Sequence, residues 1–195
     1  MYKSFFKPVI DWILALVVLV VILPLFIIVS LAIKLNSKGP VFFMQERLGR
    51  YGKVFKIFKF RSMVINNQKS ASKRLYENDP RITSVGRFIR KASIDELPQL
   101  LNILIGNMSF IGPRPPVPHF PKKIEEYSEF EYQRFQVKPG ISGLAQVRCR
   151  EIHDWNINIP IDVEYVQNYS FIYDLKLFIG SLPAFFKSDN VYRKE

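Results

Sequence analysis

The chain has one cysteine, Cys149, and two histidines, His119 and His153, in 195 residues. A single thiol excludes an intrachain disulfide and any cysteine-type metal cluster, and it points to a reducing compartment. The two histidines lie far apart with no ligand spacing between them, so zinc is not expected. His119 after Pro118 and His153 before Asp154 read as turn or surface residues, and Cys149 as a packing residue. Acidic residues are also scarce, 17 against 28 Lys and Arg, for a formal charge of +11. The imbalance is local: Lys34 to Lys91 holds 15 basic residues against Glu46, Glu77 and Asp79. Directly behind an apolar stretch, such a block fits anionic headgroups and phosphorylated substrates better than nucleic acid, and no nucleic-acid partner is expected. What the chain does have is 48% hydrophobic residues, enough for the core of one domain and too many for disorder.

From Trp12 to Ile33 there are 22 residues without a charge, about 33 Å as a helix. This is read as a retained membrane segment. It is too long for the apolar core of a signal peptide, and no small-x-small cleavage pattern follows at Leu31 to Ser37. Pro24 near its middle predicts a kink, with Ser30 available to satisfy backbone groups freed by it. Two readings stay open, a single span or a re-entrant helix that leaves on its entry side. Lys3 and Lys7 before the run and Lys34 and Lys38 after it put cations at both ends, which favours the re-entrant form.

Beyond Gly39-Pro40, Val41 to Met44 and Val54 to Phe60 predict two strands of a β-hairpin joined by Leu48 to Lys53, whose cations can face a phosphate. Lys56, Lys59 and Arg61 at its end are read either as phosphate ligands or as a solvated or lipid-facing basic edge. Asn66 to Glu77 predicts a polar helix, Asn78 to Arg81 a turn, and Thr83 or Ser84 the start of a helix with Val85, Phe88, Ile89 and Ala92 inward. Glu125, Glu126, Glu129 and Glu131 predict a solvated helix face. Tyr173 to Lys187, interrupted by Gly180 and Pro183 and too short to span, predicts an interfacial amphipathic helix, with a buried core helix as the alternative.

The chemistry is expected between Arg90 and Arg114. Asp95 and Glu96 open a helix there. Ser93 with Glu96 matches a capping box, but Asp95 as the cap places Pro98 more comfortably, at the third helical position, with Leu97, Leu100, Leu101 and Leu104 forming an apolar stripe. Helix capping alone explains such an acidic pair in many proteins. Here Arg90 precedes it, and Gly112-Pro113-Arg114-Pro115-Pro116 follows the helix and fixes a second arginine between prolines. Two preset guanidiniums near two carboxylates suit a diphosphate, with the acids as nucleophile or metal ligand.

These residues carry a resemblance. Ser93 to Asn102 and Met108 to Pro115 are similar to the bacterial sugar transferases called monotopic phosphoglycosyl transferases. Gln45-Glu46-Arg47, Lys59 to Met63, Asp79 to Thr83, Lys138 to Val147 and Asp162 to Asp174 extend the match over nearly the whole chain, in the short form that resembles the catalytic domain alone. The resemblance implies an α+β, helix-rich fold on a re-entrant helix broken at Pro24, with residues 1–38 as anchor and 39–195 as a catalytic domain facing the cytoplasm. It implies transfer of a sugar 1-phosphate from a UDP-sugar to a polyprenyl phosphate at the bacterial inner membrane, with release of UMP, ahead of downstream glycosyltransferases. By position, Asp95 is the implied nucleophile and Glu96 its partner, the two holding Mg²⁺. Arg90 and Arg114, with Lys59 and Arg61, are the implied substrate ligands. Arg148-Cys149-Arg150-Glu151 departs from the usual Asn-Gly-Arg-Asn, keeping Arg150 as a candidate ligand and Trp155 nearby, and leaves the sugar open. A noncatalytic membrane adaptor that binds anionic lipid is the alternative function.

Overall fold

A computed structural model describes residues 1–64, 79–149 and 154–186. The predicted helix at Asn66 to Glu77, Arg150 and His153 lie outside the described residues. The chain opens with a π-helical turn, Tyr2–Phe6, that runs into a 30-residue helix, α1 (Lys7–Asn36). Tyr2–Val21, the turn and the first half of α1 together, is long and apolar enough to cross a membrane, and Leu23–Asn36 is a shorter apolar stretch. Lys7, Asp11, Ala15, Val29 and Ile33 are buried along one stripe, while Val20, Val21, Ile28 and Leu31 are exposed. Ser30 does not fill the expected role. Its hydroxyl donates to the Phe26 carbonyl at 2.6 Å, one turn back, whereas Pro24 deprives the Val20 carbonyl.

Strands β1 (Phe42–Leu48) and β2 (Val54–Phe60) form the expected antiparallel hairpin, with Phe42 opposite Phe60 and Leu48 opposite Val54. Its turn carries Tyr51 at φ 58° and Gly52 at φ 71°. Helix α2 (Ser84–Lys91) starts as predicted: Thr83 accepts from the Gly86 amide at 2.9 Å. Its inward face differs from the forecast, because Phe88 is 67% exposed while Ile89 is buried. A Cβ on Gly86 would stand 1.9 Å from the Ser62 carbonyl oxygen, so the helix lies against the strand exit through a bare backbone.

Neither capping reading, Ser93 nor Asp95, survives. Ser93 takes a left-handed conformation with φ 54° and caps nothing with its side chain, and Ile94–Glu96 forms a separate 3₁₀ turn. Helix α3 (Gln99–Ile105) begins only after Pro98, whose missing N–H is harmless at the N-cap. Its buried residues are Gln99, Leu100, Asn102 and Ile103; of the forecast leucine stripe only Leu100 is buried, and Leu97, Leu101 and Leu104 are half-buried. Asn102 is fully buried. Its Oδ1 accepts from the Phe58 amide at 2.9 Å and its Nδ2 donates to the Lys56 carbonyl at 2.8 Å, so one side chain closes the free edge of β2.

Strands β3 (Ser109–Ile111) and β4 (Gly140–Ser142) pair in parallel, which the sequence reading did not foresee. The acidic stretch is two short turns, a 3₁₀ turn at Ile124–Glu126 and α4 (Glu129–Tyr132), because Tyr127 turns inward between them. After α5 (Leu144–Arg148) and α6 (Trp155–Asn168), α7 (Phe171–Phe186) continues past Gly180 and Pro183 without a break. It buries Asp174, Leu177 and Ser181 and exposes Ile172, Leu175 and Ile179, an amphipathic helix with an apolar outer face. The whole is a helix-rich α+β fold with one N-terminal apolar helix.

Candidate active site

The hairpin builds one wall. Phe43, Gln45 and Arg47 lie opposite Lys59, Ile57 and Phe55, so residues at every second position of both strands share one face. On that face Lys59 Nζ meets Glu96 Oε1 at 2.6 Å, and Arg47 donates to the Gln45 side chain at 2.7 Å and to the Pro115 carbonyl at 3.0 Å. Gln99 of α3 and Arg114 of the proline loop line the same open cleft as Arg47, Lys59 and Glu96, together with Ile57 and Ile141. Three cations and one carboxylate thus converge on one opening.

The two carboxyls are shifted in opposite directions. Burial raises the Asp95 carboxyl, and the adjacent Glu96 charge raises it further. Lys59 and Arg90 recover only part of that, leaving it at about 6. Asp95 sits in the 3₁₀ turn ahead of α3, and desolvation dominates its titration. Burial would raise Glu96 as well, but Lys59, Arg114 and hydrogen bonds from Lys59 and Gln99 outweigh it and hold that carboxyl down at about 2. Glu96 is a fixed anion at neutral pH. Burial and repulsion from Arg114 bring Arg47 down to about 10, against attraction from Glu96, so it too stays charged at neutral pH.

Of the residues expected from the sequence, Glu96, Lys59 and Arg114 line one cleft, with Arg114 exposed at the mouth; Asp95, beside Glu96 in the 3₁₀ turn, is coupled electrostatically to Glu96, Lys59 and Arg90. Arg90, in the last turn of α2, acts electrostatically on both Asp95 and Asp79. Arg61 does not join them. It is 4% exposed and its guanidinium donates to the Ser37 and Lys38 carbonyls at 2.7 and 2.9 Å, closing the C-terminus of α1. Arg148 pairs with Glu164 at 2.6 Å on the exposed surface. Arg47 and Gln99 were missed. Strand alternation puts Arg47 on the face of Lys59, a signal that becomes usable only once the hairpin register is known.

Asp95 and Glu96 supply two hard carboxylates, and among the described residues no group of three or more His, Cys, Asp or Glu gathers around a common point. That donor set suits Mg²⁺, which is commonly held by one or two carboxylates with phosphate oxygens and water completing the shell.

Residues 2–188 match the family model described as Bacterial sugar transferase. The chain is 38% identical over 195 aligned residues to the UDP-glucose:undecaprenyl-phosphate glucose-1-phosphate transferase of Caulobacter vibrioides, covering 95% of this chain and 72% of that protein. It is 44% identical over 153 residues to the uncharacterized sugar transferase EpsL of Bacillus subtilis, covering 78% and 72%. With the undecaprenyl-phosphate galactose phosphotransferase of Salmonella typhimurium it shares 36% identity over 97% of this chain but 42% of the relative, so it spans less than half that length.

Proposed function

The chain belongs to the bacterial sugar transferase family, and on that premise we propose that it moves a sugar 1-phosphate from a UDP-sugar to undecaprenyl phosphate, releasing UMP. The observation that carries this reading is the Lys59–Glu96 ion pair at 2.6 Å inside a cleft shared with Arg47 and Arg114, next to an acid of opposite protonation tendency. Arg47, Lys59 and Arg114 bind the diphosphate. An Asp95 oxygen attacks the sugar-bearing phosphorus, the bond to the UMP oxygen breaks, and the phosphosugar is carried on the carboxylate. An oxygen of the polyprenyl phosphate then attacks the same phosphorus and returns Asp95 as a free carboxylate. Mg²⁺ held by Asp95 and Glu96 would neutralise charge on the phosphate oxygens. Glu96, pinned by Lys59, keeps its side chain and charge in place through both displacements.

The membrane arrangement is part of the same proposal. Both ends of α1 pack on one body: Lys7 pairs with Asp174 of α7 at 2.7 Å and Asp11 accepts from Ser109 at 2.6 Å, while Arg61 and Ser84 hold the other end. A straight perpendicular span would carry one of those ends away from the domain. The buried stripe along α1 therefore supports a re-entrant helix, with the apolar outer faces of α1 and α7 toward lipid and the cleft at the cytoplasmic surface, from which product passes to glycosyltransferases.

The test uses membranes supplied with undecaprenyl phosphate, Mg²⁺ and radiolabelled UDP-sugars. The expected result is a labelled lipid, lost in Asp95→Asn, and a phosphosugar adduct on the peptide containing Asp95 by mass spectrometry. A membrane adaptor forms neither. Turnover by Asp95→Asn at the wild-type rate would overturn the covalent route.

A further inference from the structure

We infer that Arg134 is a positioning residue that sets where Arg114 acts, a role that rests on the transfer reading above. The loop Gly112 to Pro116 has three prolines, so it offers few backbone donors and is held mainly through its acceptors. Each carbonyl from residue 113 to 116 is taken by a donor from elsewhere. The Gly140 amide donates to Pro113 at 3.0 Å, Arg134 Nη2 to Arg114 at 2.8 Å, Arg47 Nη1 to Pro115 at 3.0 Å, and the Leu48 amide to Pro116 at 2.9 Å.

Arg134 is the one of these donors that grips residue 114 itself. It is 1% exposed, its Nη2 also donates to the equally buried Asp162 at 2.5 Å, and its guanidinium carbon stands 5.3 Å from the ring centroids of both Phe135 and Trp155. Ion pair and aromatic walls leave the fork little freedom. A buried pair of this kind is a poor stability device, because desolvation opposes the attraction and an apolar pair of similar volume often does as well. What an apolar pair cannot do is donate to the Arg114 carbonyl. The side chain of Arg114 is exposed, so the placement of its backbone governs where its charge meets a diphosphate.

The test replaces the pair by apolar residues, Arg134→Met with Asp162→Leu, and keeps Arg134→Lys as a second variant that preserves the charge. The double variant is expected to melt at or above the wild-type temperature, yet to raise KM for the UDP-sugar about tenfold with a smaller change in kcat. In an Arg114→Ala background the same replacements are expected to change KM less than about twofold, because the group they position is gone. Hydrogen exchange of the Gly140 and Leu48 amides is expected to quicken as the loop loosens. A wild-type KM in the double variant, or an equal KM effect with and without the Arg114 side chain, overturns the inference. Should wild-type protein form no lipid-linked product, the transfer reading falls, and the exchange rates alone decide the positioning role: unchanged protection overturns it.

Discussion

Replacing Asp95 by asparagine should make the metal-free protein more stable while abolishing turnover. The carboxyl is moved from 3.8 to about 6 by burial and by its neighbour Glu96, which corresponds to about 3 kcal/mol of folding free energy withheld at neutral pH. The neutral amide would keep the polar burial but lose the charge, so the expected gain is smaller, about 1–2 kcal/mol. The sign follows from proton counting. Between pH 3.8 and about 6 the folded protein retains a proton that the unfolded chain has released, so wild-type stability falls as pH rises through that window. The variant has no such group. Its advantage should therefore open across that window and level off above it. Denaturant unfolding of both proteins in detergent with EDTA, from pH 4 to 8, measures this gap. A gap that does not change with pH, or a variant less stable at pH 7, would refute the electrostatic account of the acidic pair.

Three further outcomes are expected. With Cys149 replaced and single cysteines placed at Ser4 and Ser37, a membrane-impermeant thiol reagent added to sealed cells should label neither position; labelling of one alone would establish a span. Asn102→Leu should destabilise the fold by about 2–4 kcal/mol, since the Phe58 amide and Lys56 carbonyl lose their partner together, and a change within about 0.5 kcal/mol in denaturant melts would contradict the edge-closing role. Gly86→Ala should cost more than about 2 kcal/mol, because its Cβ would fall 1.9 Å from a backbone oxygen rather than against a flexible side chain. An unchanged melting temperature there would show that α2 can move away from Ser62 freely.

The legible parts of the site were the ones written in short segments. Asp95 and Glu96 stand out because two acids precede a proline and a leucine run, and Arg114 because prolines flank it. The capping state of Asp95 was misjudged from the same segment. Propensity ranks helix starts, but Pro98 and the left-handed Ser93 split the stretch into a 3₁₀ turn and a later helix. Arg61 was misplaced for a different reason. Nothing near it in the chain reveals that the carbonyls it serves end a helix 24 to 28 residues earlier.

By itself the sequence determined the apolar 22-residue run with its proline, the hairpin, the start of α2 and the identity of the acidic pair, since each is encoded by periodicity or turn chemistry within a few neighbours. Only the tertiary structure decided which lysine meets Glu96 across 37 residues, that Arg47 shares its face, and that Asn102 seals β2. It also decided that Arg134 reaches back 20 residues to hold Arg114. Those choices depend on which distant surfaces exclude water together, and a chain read residue by residue carries no local trace of them.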